Sequence, residues 1–416
     1  MDHSFLPENI KHLVPKGGLA ILVALQNAGF KAYFVGGWVR DFLMNRDPKD
    51  FDVATSARPE DVKRLFKKTF DTGIQHGTVK VLGAQSLAVE VTTFRTDGAY
   101  SDKRRPDSVT FSDDLTADLS RRDFTINAMA WNPTEGLLDP FGGRADIESG
   151  TIRTVGDPAL RFQEDALRML RAVRFSAVLD FAIEPTTANA IKTLAPSLTH
   201  ISAERIRDEL SKLLLSHNPE QIMLLHTLGM REFILPDVVN GATCAVLAAT
   251  KNIFASEMEF PVLVLRLAIL LCELGSPEAA RAVLRDLRFD NKTIHAVTQL
   301  ILFHEMALPK NELMLRKALH LMELTTYELF LVLKYVQKAC SRADFAMQHV
   351  LLEKVVEEEQ CYSLAQLAVN GADLIQLGFS GPSIGTTLDA LLDAVIAKPS
   401  LNTKGKLLKM ATDLKT

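Results

Sequence analysis

Two acidic residues one position apart, Asp50 and Asp52, follow a glycine pair, Gly36 and Gly37, in AYFVGGWVRD and then KDFDVAT. Side chains two apart on a strand share one face, so the two carboxylates would converge. Left alone they repel and one pKa rises, unless a cation or solvent relieves them. Mg2+ takes a few carboxylates together with triphosphate oxygens and waters, and a pair of such ions activates a hydroxyl and stabilises a leaving pyrophosphate. The glycines stand where a strand, Ala32 to Val35, meets a helix beginning at Trp38. Glycine lets backbone approach a ligand closely, and the amides of a helix start favour a phosphate. Arg40 falls one turn in, as a second phosphate contact. Glu90, in LAVEVTTFR, lies on the strand face opposite Val89 and Val91 and is a candidate third carboxylate. Taken alone, Asp-x-Asp is most often a turn or a helix N-cap, and Glu90 also reads as an exposed edge-strand residue. The glycine pair and Arg40 close by tilt the balance towards chemistry.

These residues need elements to hold them, and glycine usage divides the 416-residue chain. Fourteen of 22 glycines lie at or before Gly156, and only Gly229, Gly241 and Gly275 fall between there and Gly371. Before about residue 150, short β-branched runs at 32–35, 78–82 and 87–94 are bounded by Gly, Asp and Pro, as strands are. After it, apolar residues recur three and four apart, as in Leu167, Leu170 and Val173, which predicts helices. The expected class is α+β, a small mixed sheet in the N-terminal part followed by an all-helical remainder. Length predicts two to four domains. A net charge of −4 neither points to nucleic acid nor excludes it, so any such contact must be local. The four cysteines, Cys244, Cys272, Cys340 and Cys361, are scattered and form no CxxC pair, which argues against a zinc knuckle or a disulfide framework. The most apolar run, 261–272, is interrupted by Arg266 and falls short of the ~20 residues a membrane span needs. A soluble, cytoplasmic protein with no membrane partner is expected, and the sequence sets no oligomeric state.

With these segments in view, the N-terminal part resembles the DNA polymerase beta-like nucleotidyltransferase superfamily, and within it the class II tRNA nucleotidyltransferases, the CCA-adding enzymes. The likeness continues through RRDFTINAMA (121–130), DPFGG (139–143), RFQEDALRMLRAVRF (161–175), ISAERIRDEL (201–210) and NGADLIQLGFSGPSIG (370–385). It is weakest between about 215 and 360. The resemblance implies a head at 1–150, a neck at 151–215, a helical body at 216–360 and a tRNA-binding tail at 361–416. It implies metal binding by Asp50 and Asp52, and nucleotide contacts from Gly37, Arg40, Arg122 and Asp123. The implied substrates are tRNA, CTP and ATP, and the tRNA would be held chiefly through its backbone by Lys and Arg.

The segment from Glu164 to Arg174 places acidic and basic residues three and four apart, predicting one helix over 161–175. Such a stripe is usually a solvated set of salt bridges, yet here it admits a sharper reading. Cytosine and adenine both present an exocyclic amine donor beside a ring-nitrogen acceptor, and uracil and guanine present the opposite pattern. A carboxylate that only accepts, beside a guanidinium that only donates, matches the first pair and opposes the second. Asp165 and Arg168 are the candidates, and the resemblance assigns them that role, with Arg171 and Arg174 also near the nucleotide.

Two neighbouring activities share the head. TGIQHGTVKV (72–81) lacks the GRRF-like basic motif of bacterial poly(A) polymerases, and the full-length loop FRTDGAYSDKRRPDSV (94–109) resembles enzymes able to add A rather than CC alone. In LRLAILLCELG (265–275), Cys272 and Glu273 stand where relatives with a phosphohydrolase module carry His-Asp, so hydrolase activity is not expected. An A-adding enzyme, a poly(A) polymerase and a non-catalytic RNA-binding protein remain as alternatives to full CCA addition.

Overall fold

The computed structural model describes residues 16–48, 51–73, 77–83, 87–98, 108–235, 239–251 and 259–415. The chain forms two compact units, one ending at Cys244 and one beginning at Ala245.

The first unit opens with α1 (Lys16–Asn27), β1 (Ala32–Val35), α2 (Gly37–Leu43), β2 (Asp52–Thr55), α3 (Pro59–Leu65), β3 (Thr69–Gly73), β4 (Thr78–Leu82) and β5 (Ala88–Thr93). A two-stranded ribbon follows, β6 (Arg95–Asp97) and β7 (Val109–Phe111), then α4 (Leu115–Ser120), β8 (Ala130–Asn132), β9 (Gly136–Leu138) and α5 (Gly143–Glu148). Seven of these strands make one sheet in the order β3-β4-β5-β2-β1-β8-β9. It is mixed, because β2 and β5 run parallel while the other pairs are antiparallel.

Alternation separates the two faces of that sheet. One face, carrying Phe34, Val53, Val79, Val81, Val89, Val91 and Trp131, is covered by apolar residues of α1, α2 and α3. The other carries Tyr33, Val35, Ala54 and Ala130 in a smaller apolar cluster, and on it Asp52, Glu90 and Lys80 stand in register on adjacent strands. Strand register therefore puts polar groups on the face that α1 to α3 leave uncovered.

The sheet is followed by β10 (Thr151–Ile152), α6 (Pro158–Glu164), α7 (Leu167–Leu179), β11 (Ala182–Ile183), α8 (Pro185–Leu194) and α9 (Ala203–Leu214). β10 and β11 pair in parallel, so a two-strand clip lies within this mainly helical stretch. The single helix expected over 161–175 is instead two helices broken at Asp165, whose backbone is extended (φ −150°, ψ 104°). The cause is local. The Asp165 carboxylate accepts from the backbone N–H of Leu167 at 3.1 Å and its carbonyl from Arg168 N–H at 3.0 Å, so it starts a new helix as an N-cap does.

After α10 (Met223–Thr227), α11 (Gly241–Ala249) crosses the boundary between the units. The second unit is helical throughout its described residues: α12 (Glu259–Leu271), α13 (Pro277–Asp286), α14 (Asn291–Phe303), α15 (Glu312–Met322), α16 (Leu324–Val336), α17 (Arg342–Glu357), α18 (Gly371–Gln376), α19 (Pro382–Ala397) and α20 (Lys404–Lys415). Leu374, Leu391, Leu392, Val395 and Leu407 form the core joining α18, α19 and α20. Buried Arg316 on α15 donates through Nε to the Ile396 carbonyl at 2.8 Å, fastening α15 to the end of α19. No described helix is long and apolar enough to cross a membrane.

The core under the sheet centres on Trp38, which is 1% exposed and stacks on Phe34 at 4.4 Å and on Phe42 at 4.9 Å between ring centroids. Its indole N–H meets no acceptor among the described residues. Trp38→Ala is expected to lower stability by about 3–5 kcal/mol in denaturant unfolding. Trp38→Phe should cost far less, since it keeps an aromatic in the stack and removes an unpaired donor.

Candidate functional site

α2 starts with a turn that only glycine fits comfortably. Gly36 has φ 71° and ψ −137°, and a Cβ there would lie 2.8 Å from Arg122 Nη1 and 3.6 Å from Asp52 Oδ2. Backbone conformation and proximity both require glycine, and the gap it leaves brings Arg122 towards the start of β2. Gly37 is less constrained, since a Cβ there would make only ordinary contact with Arg40. Of the predicted carboxylates, Asp52 and Glu90 are strand partners on one face. Glu90 is also ion-paired to Lys80 at 3.4 Å. Asp50 lies outside the described residues. Carboxylate oxygens beside each other suit a hard divalent cation that draws its remaining ligands from phosphates and water. Among the described residues no three His, Cys, Asp or Glu side chains converge as an all-protein metal cage would require.

The second cluster is a cleft of about 340 Å³ lined by Arg121, Arg122, Asp123, Asp165, Leu167, Arg168, Arg171 and Arg205. Five of its eight lining residues are arginines, a composition that suits an anion. Each guanidinium is positioned by a carboxylate or carbonyl. Arg121 donates through Nε and Nη2 to Asp118, itself 1% exposed, at 3.0 and 2.8 Å. Arg122 reaches the Asn127 carbonyl at 3.4 Å, and burial lowers its pKa although Asp118, Asp52 and Asp123 oppose that shift. Arg171 donates to Asp123 Oδ2 from Nε at 2.8 Å and from Nη2 at 2.6 Å. Arg174 pairs with Glu209 at 2.6 Å, and burial brings it down to about 10 against the pull of that carboxylate.

Arg40, expected as a phosphate contact, makes its contacts beside the cleft. It does not line the cleft; its guanidinium donates to Asn127 Oδ1 at 2.7 Å and to Asp41, and lies 5.3 Å from the ring centre of Phe175. Arg171 and Arg174 face the same ring at 5.3 and 4.0 Å. A polar chain thus runs from Arg40 through Asn127, Asp123 and Arg171 to Glu209, tying α2 to α7 and α9.

The break at Asp165 brings it and Arg168 to the same cleft. Arg168 is held by the Arg161 carbonyl at 3.1 Å, the Arg121 carbonyl at 3.2 Å and Glu164 Oε2 at 2.5 Å. Asp165 is held by Arg205 on α9, at 3.2 Å to Oδ1 and 2.7 Å to Oδ2. Arg121, Arg205 and the supports Asp118 and Glu209 were not singled out from sequence. Arg205 and Glu209 stand four apart within ISAERIRDEL, which places them on one helix face, but no spacing rule joins them to partners some forty residues away.

Burial alone would raise the Asp123 carboxyl, yet the charge and hydrogen bonds of Arg171, with help from Asn127, hold it down at about 2. The stabilisation this supplies is present above the ordinary value of 3.8 and fades as pH falls towards 2. It is worth on the order of 2 kcal/mol at neutral pH. Asp123→Asn should therefore lower the urea midpoint clearly at pH 7 and progressively less below pH ~4. An equal deficit at pH 7 and pH 3 would contradict this account.

Comparison with known proteins shows the family to which the chain belongs. Residues 32–153 match the family model of the poly A polymerase head domain, 180–240 that of the RNA and SrmB-binding site of polymerase A, and 265–411 that of tRNA nucleotidyltransferase domain 2. The CCA-adding enzyme of Geobacillus stearothermophilus is 40% identical over 384 residues, covering 91% of this chain and 92% of its own. That of Lacticaseibacillus paracasei is 37% identical over 409 residues, covering 96% of each. The crystal structure of the Bacillus stearothermophilus CCA-adding enzyme in complex with CTP superposes with a TM-score of 0.81 at 34% identity, covering 99% of this chain and 98% of that one. The Thermotoga maritima CCA-adding enzyme shares the fold, with a TM-score of 0.63 at 22% identity over 99% of this chain and 97% of its own. With a relative at 40% identity along nearly its full length, this chain belongs to the CCA-adding enzyme family of tRNA nucleotidyltransferases.

Proposed function

We propose that the protein adds C and A to the 3′ end of tRNA without a nucleic-acid template, in the cytoplasm, by in-line attack of the tRNA 3′ hydroxyl on the α-phosphate of CTP or ATP with release of pyrophosphate. The observation that carries this reading is the arginine-lined cleft with Asp165 and Arg168 on one wall. Arg122 and Arg171 would bind the triphosphate; both line the cleft, and Asp123 pairs with Arg171, which supports this reading. Asp165 accepts from the exocyclic amine of the incoming base and Arg168 donates to its ring nitrogen, so uracil and guanine meet like against like. Asp52, with Asp50 and Glu90, would hold magnesium against the triphosphate. When bound, that ion supplies charge neutralisation at the phosphates and makes the attacking hydroxyl more acidic. The chain's own residues orient the nucleotide and choose its base. In this reading residues 1–150 act as head, 151–215 as neck, 216–360 as body and 361–416 as the tRNA-binding tail.

Transfer RNAs ending before the first C, after one C and after two, each given CTP or ATP separately, test the activity. Extension of the first two by CTP and of the third by ATP, then arrest, is expected. Growth of the third acceptor alone identifies an A-adding enzyme, and unlimited addition of A identifies a poly(A) polymerase. Asp52→Ala should abolish addition of both nucleotides while tRNA binding persists; turnover near wild type would refute its role. Arg168→Ala should lose discrimination of C and A over U and G before it loses triphosphate binding, and unchanged selectivity would count against base reading by this pair.

A further inference from the structure

We infer that one rung of the seven-stranded sheet, Phe70, Lys80, Glu90 and Asp52, is the track for the single-stranded 3′ end of the acceptor RNA. Lys80 holds its last phosphodiester, and Phe70 stacks on a base behind it. The inference rests on the proposed polymerising reaction and goes beyond it by assigning where the acceptor strand runs. The four residues are strand partners in succession: Asp52 on β2 faces Glu90 on β5, Glu90 faces Lys80 on β4, and Lys80 faces Phe70 on β3. Their neighbours Val53, Val79, Val81, Val89 and Val91 point into the core beneath, so alternation sends all four to the opposite face. The outer part of this rung is open to solvent: Phe70 is 55% exposed, and the Lys80 and Glu90 side chains are 35% and 48% exposed. A lone exposed apolar residue calls for no explanation. An exposed ring in register with a lysine, beside the carboxylates of a phosphoryl-transfer site, has the composition that binds single-stranded RNA.

Chemistry sets the direction of the strand. Arg122 sits against Gly36 and Asp52, on the β1 side of β2, so the pyrophosphate of a bound nucleotide leaves towards that side. In-line displacement puts the attacking oxygen opposite the leaving group, so the 3′ hydroxyl arrives over β5 and β4. Strands about 4.8 Å apart place Lys80 roughly 10 Å and Phe70 roughly 14 Å from Asp52. Hydroxyl, phosphate and base follow in that order along a strand that ends at Asp52. Lys80 offers three donors on a flexible stem and pairs with Glu90 at 3.4 Å. An exposed pair of this kind contributes little to stability, so a phosphate draws the ammonium away and frees the Glu90 carboxylate as the acceptor arrives. The arginine-lined cleft shares no residue with this rung. Nucleotide and RNA binding can therefore be disturbed separately.

The test measures the KM of ATP and of tRNA ending after two C residues. It also measures, across a range of KCl and without nucleotide, the affinity for that tRNA and for one trimmed back to the last base pair of its acceptor stem. Lys80→Met is expected to raise the tRNA KM and weaken binding of the tailed tRNA about fivefold, with the slope of log affinity against log KCl reduced by about 0.7, as loss of one single-strand phosphate contact requires. Phe70→Ser should weaken the same binding about fivefold or more with that slope unchanged, as loss of a stacked base does. Both variants should leave the KM of ATP and the affinity for trimmed tRNA within about twofold, and Lys80→Arg and Phe70→Tyr should recover most of the loss. Equal losses on the two tRNAs mean that the rung meets the paired body of the RNA. No loss on either means that Lys80 and Glu90 are only a cross-strand pair. Each of these results overturns the inference. Asp52→Ala is assayed alongside: if it abolishes addition while the rung variants change nothing, the reaction stands and the track is wrong, and if the wild-type protein extends no tRNA, the proposed function itself fails.

Discussion

Positive charge taken out of water has to be matched, and that requirement organises the site. Arg40, Arg122, Arg171 and Arg174 are drawn from three parts of the chain into a partly dry region, where an uncompensated guanidinium is severely destabilising. Asp118, Asp123 and Glu209 answer them, with Asn127 relaying between Arg40 and Asp123. Removing a carboxylate from such a set is more damaging than its pairwise interaction suggests, because a buried charge is left behind. The same network keeps the arginines preorganised, so a polyphosphate meets donors that need little rearrangement. Structure and binding thus draw on one set of contacts.

The sheet serves that arrangement from the other side. Its two faces differ because β2 and β5 run parallel in the register that sets Asp52 opposite Glu90. A slip of one residue in either strand would turn its carboxylate towards the core of Trp38 and Leu22, where a charge has no partner. Gly36 completes the join, since its positive φ bends the chain out of β1 and leaves Arg122 room beside Asp52.

Much of this was legible in the residues, for identifiable reasons. Strands at 32–35 and 78–82 have the bounds read from short runs bounded by turn residues, the second because its burial alternates with a period that sequence displays, the first because it is an apolar run buried throughout. Gly36 stood out with Gly37 because a glycine pair between a strand and a helix lets the backbone come close to a ligand. The break at Asp165 did not stand out. Glu164, Asp165, Arg168 and Arg171 keep helical spacing on both sides of it, and only the capping hydrogen bond to Leu167 distinguishes a new helix from a continued one. Arg205 and Glu209 were hidden because their partners are distant in sequence, and long-range pairing leaves no period. The protein contacts of Arg40 were hidden for a similar reason: its neighbours Asn127 and Phe175 are brought close only by folding.

Every residue lining the cleft falls between Arg121 and Arg205, well inside the unit that ends at Cys244. Substitutions in the helices from Ala245 onward therefore change none of the described residues that line it, and one half of the chain can be retuned while the arginine chemistry of the other stays fixed.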